Sequence, residues 1–530
     1  MRPSLARWVG DADALRHLED FKVDQPSLDL AHIRTRTDDY YLALVGELFD
    51  RMRTASEDAA GWARLGNALA QLPAGQDELL RRVGISRSEA ILFAAAAFYC
   101  GGFPASAYLV IRDAPPGADD AEAYRACFDL IARPSDMTSR VGGQLIDALR
   151  RGDMTTLATI AVSAAQRAQE ALHIGPDAWI PARLFEQLTK RFLATNVRAV
   201  LPLRPDNAGF WTPFVRSLLA RHPPTWEFFP SQIDAIKRGL LDRNETFSLQ
   251  MPTGAGKTAL CETLLYWHAK STDTDVAILL VPYRSLASEL RNSVVKRLNA
   301  LGIRARCAYG GTVPTGDEVR DLDDIRVVVA TPEALSGLLG AGGEFFHRVS
   351  LVICDEGHLL DGGGRGVGLE LLLARMRVRE GGAPRFVFVS AIVPNIEEIN
   401  AWLGGTASGV VRSDYRPAVA EYAVLRVQGK GANTSVALDM HPHEPKPTRF
   451  VVEAFLARSD FEHRNSATGR KNTYAFTSKK TQAIAAARKA LTMGASAVFA
   501  ANKRGDQGAV GLAEELVEQL RFPLTLPTPI

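Results

Sequence analysis

A glycine-containing turn near the middle of the chain joins a short apolar run to a helix-forming run. The turn reads Met251-Pro-Thr-Gly-Ala-Gly-Lys-Thr258 and follows the apolar run 247–250. Glycines let backbone N–H groups turn inward and hold phosphate oxygens at the N-terminus of a helix. Met251 stands where the general pattern G-x-x-x-x-G-K-T has its first glycine, and a chance glycine-rich turn is the alternative. The order of strand, turn and helix favours a phosphate-binding loop in an α/β domain.

Short apolar runs alternate with helical patterns from residue 226 onwards. The predicted strands are 247–250, 276–281, 326–330, 351–354 and 386–390. This succession predicts a doubly wound parallel sheet, because helices that cover both faces leave the strands apolar throughout. Ligands bind such sheets beyond the carboxyl ends of the strands, so the functional residues should follow the strands.

Two adjacent acids follow one of these strands, in Leu351-Val-Ile-Cys-Asp-Glu-Gly-His358, about 100 positions after the glycine turn. Lys257 would reach the β- and γ-phosphates of a nucleotide, while Thr258 and Asp355 would hold Mg²⁺. Glu356 would orient and deprotonate the attacking water. His358 would couple the site to a neighbouring domain. The two motifs together predict an ATP hydrolase that uses Mg²⁺.

These residues resemble superfamily 2 helicases of the DExH type, and the resemblance extends over roughly residues 226–420. It implies a RecA-like domain that couples ATP hydrolysis to movement on nucleic acid. The segment Phe229-Pro-Ser-Gln232 is similar to the family's adenine-reading segment. The ATP-binding residues that the resemblance implies are Phe229, Gln232, Thr253, Gly254, Ala255, Gly256, Lys257 and Thr258.

Three further segments resemble the family's strand-contact motifs: Val281-Pro-Tyr-Arg-Ser-Leu286, Tyr309-Gly-Gly311 and Thr331-Pro-Glu333. The nucleic-acid-binding residues that they imply are Arg284, Ser285, Gly310, Gly311, Thr331, Pro332 and Glu333. Arg284 and Ser285 also follow a strand at the ligand edge, where phosphate contacts position a nucleic acid independently of its sequence. A solvated helix start is the alternative for Arg284. No motif that reads base edges is present, so the sequence does not distinguish DNA from RNA.

Three other segments resemble either the motif that couples hydrolysis to movement or motifs typical of one branch of the family. Ser390-Ala-Ile392 resembles the family's Ser-Ala-Thr coupling motif, and Ile392 leaves Ser390 as its only hydroxyl. The stretch D-G-G-G-R-G-V-G-L-E at 361–370 resembles the segment after the DExH box in superkiller-type and archaeal repair helicases, although a surface loop is its alternative. Asp414-Tyr-Arg-Pro417 resembles their Trp-Arg-Pro stretch, with Tyr415 in place of tryptophan.

We expect three regions. Residues 1–225 are rich in Ala and Leu and predict a mostly helical domain of unassigned role. Residues 226–412 form the RecA-like ATP-binding domain, and 413–530 begin a second, incomplete RecA-like domain with a strand at 496–501 and helices at 477–491 and 508–520. Beyond Leu520 nothing matches motifs V and VI, which carry the family's arginine finger, so we expect a truncated motor with weak hydrolysis.

The composition limits the binding partners and the cellular compartment that the sequence predicts. Lys and Arg total 62 against 60 for Asp and Glu, so bulk charge predicts no partner and polyanion binding must come from local clusters. There is no apolar run of about 18 residues, so no membrane span is expected. The five cysteines lack C-x-x-C spacing and fit a reducing compartment, which predicts a cytoplasmic protein.

The sequence therefore favours an ATP-dependent helicase or translocase on single-stranded or partly duplex DNA or RNA, in DNA repair or antiphage defence. The helical N-terminal region suits a protein partner, or a defence-associated bacterial helicase, for instance of the Hachiman type. A nucleotide-binding regulatory or scaffold protein with a motor remnant is the alternative. A P-loop small-molecule kinase is weaker, because it would not require the segments at Thr331 and Ser390.

Overall fold

The computed structural model describes residues 37–71, 77–117, 120–204, 209–308, 324–340, 344–361, 364–418, 422–428, 435–441, 450–452 and 497–500. These residues belong to two compact units. The first unit takes its residues from Met1–Gly143, Ala161–Arg191 and Pro417–Ile530. The second unit takes its residues from Gln144–Ile160 and Phe192–Arg416.

Helices make up most of the described first unit, which confirms the predicted helical N-terminal region. They are α1 (Thr37–Arg53), α2 (Ala59–Gln71), α3 (Asp77–Val83), α4 (Arg87–Cys100), α5 (Pro104–Ile111) and α6 (Glu122–Ala132). Helix α4 begins with a capping box, in which the Ser86 hydroxyl accepts from Glu89 N at 3.2 Å and Glu89 Oε2 accepts from Ser86 N at 2.7 Å. Its Ala-rich middle is buried on all sides, so it is the central helix of this region.

Three helices contain residues of both units: α7 (Arg140–Arg151), α8 (Met154–Ala171) and α9 (Pro176–Thr195). The second unit continues with α10 (Val197–Val200), α11 (Thr212–Leu219) and α12 (Pro230–Lys237). No helix in the described part of the chain is long and apolar enough to cross a membrane.

A seven-stranded parallel sheet forms the core of the second unit and confirms the predicted doubly wound fold. Its strands are β1 (Phe247–Gln250), β2 (Val276–Leu280), β3 (Ala305–Ala308), β4 (Val327–Ala330), β5 (Val349–Cys354), β6 (Arg385–Ser390) and β7 (Val410–Arg412). Their order is β3-β4-β2-β5-β6-β1-β7, and every pairing is parallel. The strands that follow one another in sequence are therefore joined by crossovers, as in doubly wound proteins.

Helical segments connect these strands. They are α13 (Lys257–Ser271), α14 (Arg284–Leu290), a π-helix (Arg291–Val295), α15 (Lys296–Ala300), α16 (Pro332–Gly340), α17 (Glu344–Arg348), a 3₁₀ helix (Gly357–Asp361), α18 (Gly364–Arg377), α19 (Ile396–Trp402) and a 3₁₀ helix (Ala407–Gly409).

The central strands are buried on both faces, as expected for a parallel sheet covered by helices. All five residues of β2 and all four of β4 are buried. Phe386 and Phe388 on β6 belong to one apolar cluster with Leu372 and Met376 of α18. Burial of each such side chain contributes about 1.5–3 kcal/mol, so this cluster fixes the helix that follows the DExH segment against the sheet.

The five strands predicted from sequence are observed within two residues of their expected limits. The edge strands β3 and β7 were not predicted. Edge strands pair on one side only and tolerate polar residues, and these two carry the exposed Arg306 and Arg412. They are also only four and three residues long, which leaves no apolar pattern to recognise.

The first unit also contains a four-stranded sheet of mixed direction. Its strands are β8 (Tyr422–Gln428), β9 (Ser435–His441), β10 (Phe450–Val452) and β11 (Ala497–Ala500), in the order β10-β9-β8-β11. Strand β11 lies within the predicted strand 496–501 and runs parallel to β8, whereas β8, β9 and β10 are antiparallel neighbours that were not predicted. The helices predicted at 477–491 and 508–520 lie outside the described residues.

Candidate active site at the carboxyl edge of the sheet

The glycine turn forms a loop between β1 and the first residue of α13, Lys257. Gly254 and Gly256 adopt the left-handed conformation, with φ of 86° and 85°. A Cβ at Gly256 would also lie 2.4 Å from Gln232 Nε2, so both its conformation and its neighbour require glycine. The predicted loop geometry at the N-terminus of a helix is therefore present.

The segment predicted to read adenine is bonded to this loop. Ser231 donates its hydroxyl to Ala255 O at 3.2 Å, and Gln232 Nε2 donates to Gly256 O at 2.8 Å. Gln232 Oε1 accepts from Phe229 N at 2.8 Å, and the side chain is 3% exposed. The amide of Gln232 thus joins the start of α12 to the loop, while its contact with a base stays a prediction.

An aromatic pair lies beside the same segment. The ring of Phe229 is 5.7 Å from that of Tyr415, centroid to centroid, with 46° between the ring planes. Tyr415 is the residue that replaces tryptophan in the Asp414-Tyr-Arg-Pro417 stretch. Aromatic pairs of this kind stabilise a fold by about 0.5–1.5 kcal/mol. The pair therefore holds the segment after β7 against the adenine-reading segment.

The lysine of the loop and the acids after β5 come together, as the sequence predicted. Lys257 Nζ is 3.5 Å from Glu356 Oε1, and the lysine side chain is 8% exposed. Asp355 N donates to Leu280 O at 2.9 Å, which fixes the end of β5 against β2. Burial, with the nearby charge of Glu356, raises the pKa of Asp355 to about 6.

Glu356 occupies a strained position among Lys257, Asp355 and His358. Its φ is 52°, a left-handed conformation that costs a residue with a side chain about 1–3 kcal/mol. Its N–H donates to Asp355 Oδ1 at 2.9 Å, and its Oε2 is 3.4 Å from His358 Nδ1. The carboxylate lies beside Lys257, which is the placement a water-activating base in this site needs.

The site fits a magnesium–triphosphate. Lys257 Nζ is buried and makes no hydrogen bond within the described residues, although an ammonium has three donors. The Thr258 side chain is exposed in the first turn of α13, and open space surrounds Gly254. Phosphate oxygens would satisfy the buried ammonium, and the Thr258 hydroxyl with Asp355 supplies the oxygen ligands that Mg²⁺ prefers.

Ser390 ends β6 beside the loop. Its backbone carbonyl accepts from Met251 N at 2.9 Å, and its buried hydroxyl lies 3.5 Å from Ile392 O. The predicted coupling segment is therefore linked to the phosphate loop through the backbone. The coupling role of Ser390 stays a prediction.

The residues predicted to contact a strand follow β2 and β4. Arg284, Ser285 and Glu333 are exposed, and Pro332 is half-buried. Thr331 is 2% exposed, and its Oγ1 accepts from Ala334 N at 3.4 Å at the start of α16. Gly310 and Gly311 lie outside the described residues.

Two residues at this edge, Tyr283 and Arg365, lie in motifs quoted from the sequence but were given no role of their own. The Arg365 guanidinium lies 6.0 Å from the centroid of the Tyr283 ring, and Arg365 Nε is 3.9 Å from Glu333 Oε1. The three residues belong to different connections of the sheet. In the sequence, Tyr283 beside Arg284 was the signal that could have indicated a stacking contact. Only the tertiary structure shows that Arg365 lies over this tyrosine.

Comparison with known proteins agrees with this geometry. Residues 229–399 match the family model described as DEAD/DEAH box helicase. The predicted resemblance to superfamily 2 helicases is confirmed for this part of the chain. Among curated relatives, Hachiman protein HamB of Bacillus cereus is 27% identical over 327 residues, which are 61% of this chain and 28% of HamB.

Archaeal helicases are similar over a shorter length of the chain. ATP-dependent DNA helicase Hel308 of Methanocaldococcus jannaschii is 31% identical over 195 residues, covering 36% of this chain and 16% of the relative. Its namesake from Thermococcus kodakarensis is 32% identical over 191 residues, covering 36% of this chain and 16% of that relative. These matches bear out the predicted nearness to the archaeal branch.

Among solved structures, the yeast DEAD-box splicing factor Prp28 is 15% identical, with a TM-score of 0.34, and the match covers 40% of this chain and 51% of that chain. The chain thus spans less than a third of the length of the curated relatives named above.

Proposed function

We propose that this chain belongs to an ATP-driven motor that moves on nucleic acid. The observation that carries the proposal is the buried Lys257 ammonium, which makes no hydrogen bond within the described residues and lies 3.5 Å from Glu356. Lys257 would bind the β- and γ-phosphate oxygens, and Thr258 and Asp355 would hold Mg²⁺. Bound there, Mg²⁺ would neutralise charge on the phosphate oxygens.

Glu356 acts as the base that orients and deprotonates water. Its ion pair with Lys257 occupies the carboxylate until phosphate oxygens engage the ammonium instead. Glu356 N donates to Asp355 Oδ1, so a hydrogen bond links the backbone of the base to the metal ligand. Gln232 and Phe229 bind the adenine, and Ser390 links hydrolysis to movement.

DNA is the substrate that we propose, as single strands or partly duplex strands. Two relatives are named as DNA helicases, and the exposed Arg284 and Ser285 lie where sequence-independent phosphate contacts are expected. The similarity to HamB extends beyond the 229–399 helicase match and supports antiphage defence over DNA repair. The helical N-terminal region is proposed to bind a protein partner, in the cytoplasm.

We propose domain limits of 1–225, 226–412 and 413–530. No stretch of this sequence resembles motifs V and VI, so the 530-residue chain by itself is proposed to hydrolyse ATP slowly. A regulatory or scaffold role is the second candidate. A second RecA-like domain beginning at 413 stays part of the proposal.

The test compares the purified chain with Lys257→Ala. We expect the chain to bind ATP, to hydrolyse it slowly and to bind single-stranded DNA more weakly at about 200 mM than at about 50 mM salt. Lys257→Ala should lose ATP binding and keep strand binding. Binding of ATP with a turnover that Lys257→Ala leaves unchanged would support the scaffold role. Equal affinity for RNA would remove the DNA assignment alone, whereas absence of both ATP and strand binding would refute the motor.

A further inference from the structure

A cleft lies at the carboxyl edge of the sheet, between the DExH acids and the predicted strand contacts. It opens to solvent and has a cavity volume of about 100 Å³, several times what one water molecule needs. Its lining includes Val281, Leu359, Leu369 and Asp355. The ATP site described above uses only Asp355 of these residues, so most of this cleft has no assigned ligand.

Flat groups form the rim of the cleft. Tyr283 is 45% exposed although it is a large aromatic residue, and Arg365 lies with its guanidinium 6.0 Å from the ring centroid. Glu333 lines the same rim, 3.9 Å from Arg365. A guanidinium and an aromatic ring both stack on planar heterocycles, so this rim suits a nucleobase.

Both groups lie at the start of a helix. Tyr283 is the residue before α14 and has an extended backbone, with φ of −126° and ψ of 143°. Arg365 is in the first turn of α18, which packs closely against the preceding 3₁₀ helix. A Cβ at Gly366 would lie 2.3 Å from Leu360 O, so glycine permits this approach. Stacking groups on fixed elements lose little entropy when a ligand binds.

The neighbouring charge favours a nucleic-acid strand over a free heterocycle. Arg284 follows Tyr283 directly and is exposed, so an aromatic group and a cation are offered side by side. Proteins that hold single strands interleave these two residue types, with bases on the rings and phosphates on the cations. The apolar floor made by Val281, Leu359 and Leu369 then covers the face of a base that has left its stack.

We propose that Tyr283 and Arg365 form a stacking site for one unpaired nucleobase of the bound strand, seated over this cleft. The inference rests on the proposed function, because it requires that a strand crosses this edge of the sheet. The stacking site adds a contact with a base to the proposed phosphate contacts, which do not depend on the nucleotide sequence. Every base has a flat face, so the site tolerates any base but requires that one is present.

The experiment measures binding of single-stranded DNA to the full chain, with oligonucleotides that carry one abasic position at each site in turn. Tyr283→Leu is expected to weaken binding of intact DNA about tenfold, and Tyr283→Phe should bind as the parent does, because phenylalanine keeps the ring. One abasic position should weaken binding to the parent chain and have no effect on Tyr283→Leu. Arg365→Gln should weaken binding about threefold, whereas the exposed Arg377→Gln on the same helix should not.

Thermal unfolding checks that each variant is folded. Two results overturn the stacking site while leaving the motor intact: equal DNA affinity of folded Tyr283→Leu and Tyr283→Phe, or an abasic penalty that is the same in the parent and Tyr283→Leu. If the free deoxynucleoside binds the parent as tightly as the strand does, the cleft is a small-molecule site and the inference is also wrong. If the parent binds no strand, the proposed function fails, and the inference fails with it.

Discussion

The two ends of the parallel sheet use their charged side chains in opposite ways. At the amino end, arginines donate to the carbonyls of the turns that lead into the strands. Arg326 donates to Thr272 O, Asp273 O and Asp275 O at 2.7–2.9 Å, just before β2. Arg385 donates to Leu240 O and Glu245 O at 2.7 and 2.6 Å, just before β1.

At the carboxyl end, the charged side chains of the candidate active site have few hydrogen bonds or stabilising contacts. Lys257 is buried without a hydrogen bond to a described residue, Asp355 has a pKa raised to about 6, and Glu356 has a strained backbone. Each of these features costs stability. A sheet end at which arginines bond several turn carbonyls is built to hold the fold, whereas an end that keeps unsatisfied charge is built to bind something.

The largest expected effect is at the carboxyl end. Glu356→Gln should slow ATP hydrolysis by about 10²- to 10⁴-fold, because it removes the general base. The same variant should keep ATP binding and should not lower the thermal unfolding midpoint, since the Glu356 carboxylate is partly exposed and its charge opposes that of Asp355. Steady-state hydrolysis and thermal unfolding check the two halves of this prediction.

Glu289→Gln is the matched control, since Glu289 is exposed on α14 and outside the proposed machinery. It should hydrolyse ATP as the parent does. An undiminished hydrolysis rate in Glu356→Gln would mean that another residue is the general base. The carboxyl end would then no longer differ from the amino end through Glu356.

The amino end should show the reverse pattern. Arg326→Gln should lower the free energy of unfolding by about 3 kcal/mol, because it strips partners from three carbonyls at once. The hydrolysis rate per folded molecule should not change. Urea unfolding measures the first effect, and Arg377→Gln, an exposed arginine on α18, controls for loss of charge. A loss of activity without a loss of stability would contradict the division between the two ends.

A histidine at the amino end makes stability depend on pH. His268 lies 2.7 Å from Ser350 Oγ, and burial, helped by the positive charges of Arg326 and Arg385, lowers the pKa of His268 from 6.5 to about 4. The folded protein resists a proton that the unfolded chain accepts. Stability should therefore be full above pH 6.5 and be lost as the pH falls towards 4, by roughly 2 kcal/mol once partial exposure is allowed for.

His268→Gln tests this pH effect, because glutamine can still hydrogen-bond Ser350 and does not titrate. The free energy of unfolding is measured by urea at about pH 7 and about pH 4.5, within the range in which the two states differ in protonation. We expect the parent to lose more stability than the variant on acidification. Equal losses would show that other groups determine the acid sensitivity.

The sequence predicted the carboxyl end better than the amino end, for a physical reason. The loop at Lys257 and the acids at Asp355 and Glu356 are local motifs whose residue types follow from phosphate and metal chemistry. The arginines of the amino end, such as Arg326, have no local signature, because their partners are backbone carbonyls about 50 positions away. The Tyr283–Arg365 pair was not predicted for the same reason, since 82 positions separate two residues that come together only in the fold.

The smallest expected effect is at the rim of the carboxyl end, where charge is exposed. Arg284→Gln should weaken single-stranded DNA binding about fivefold and lower the magnitude of the salt dependence by about 0.7 in log–log slope, as for the loss of one phosphate contact. Unlike the variants of the amino end, it should leave unfolding unchanged, because Arg284 is exposed. Binding is measured over a salt series, with Arg377→Gln as control. An unchanged slope would mean that Arg284 is a solvated helix start, and the strand path would then need other cations at this edge of the sheet.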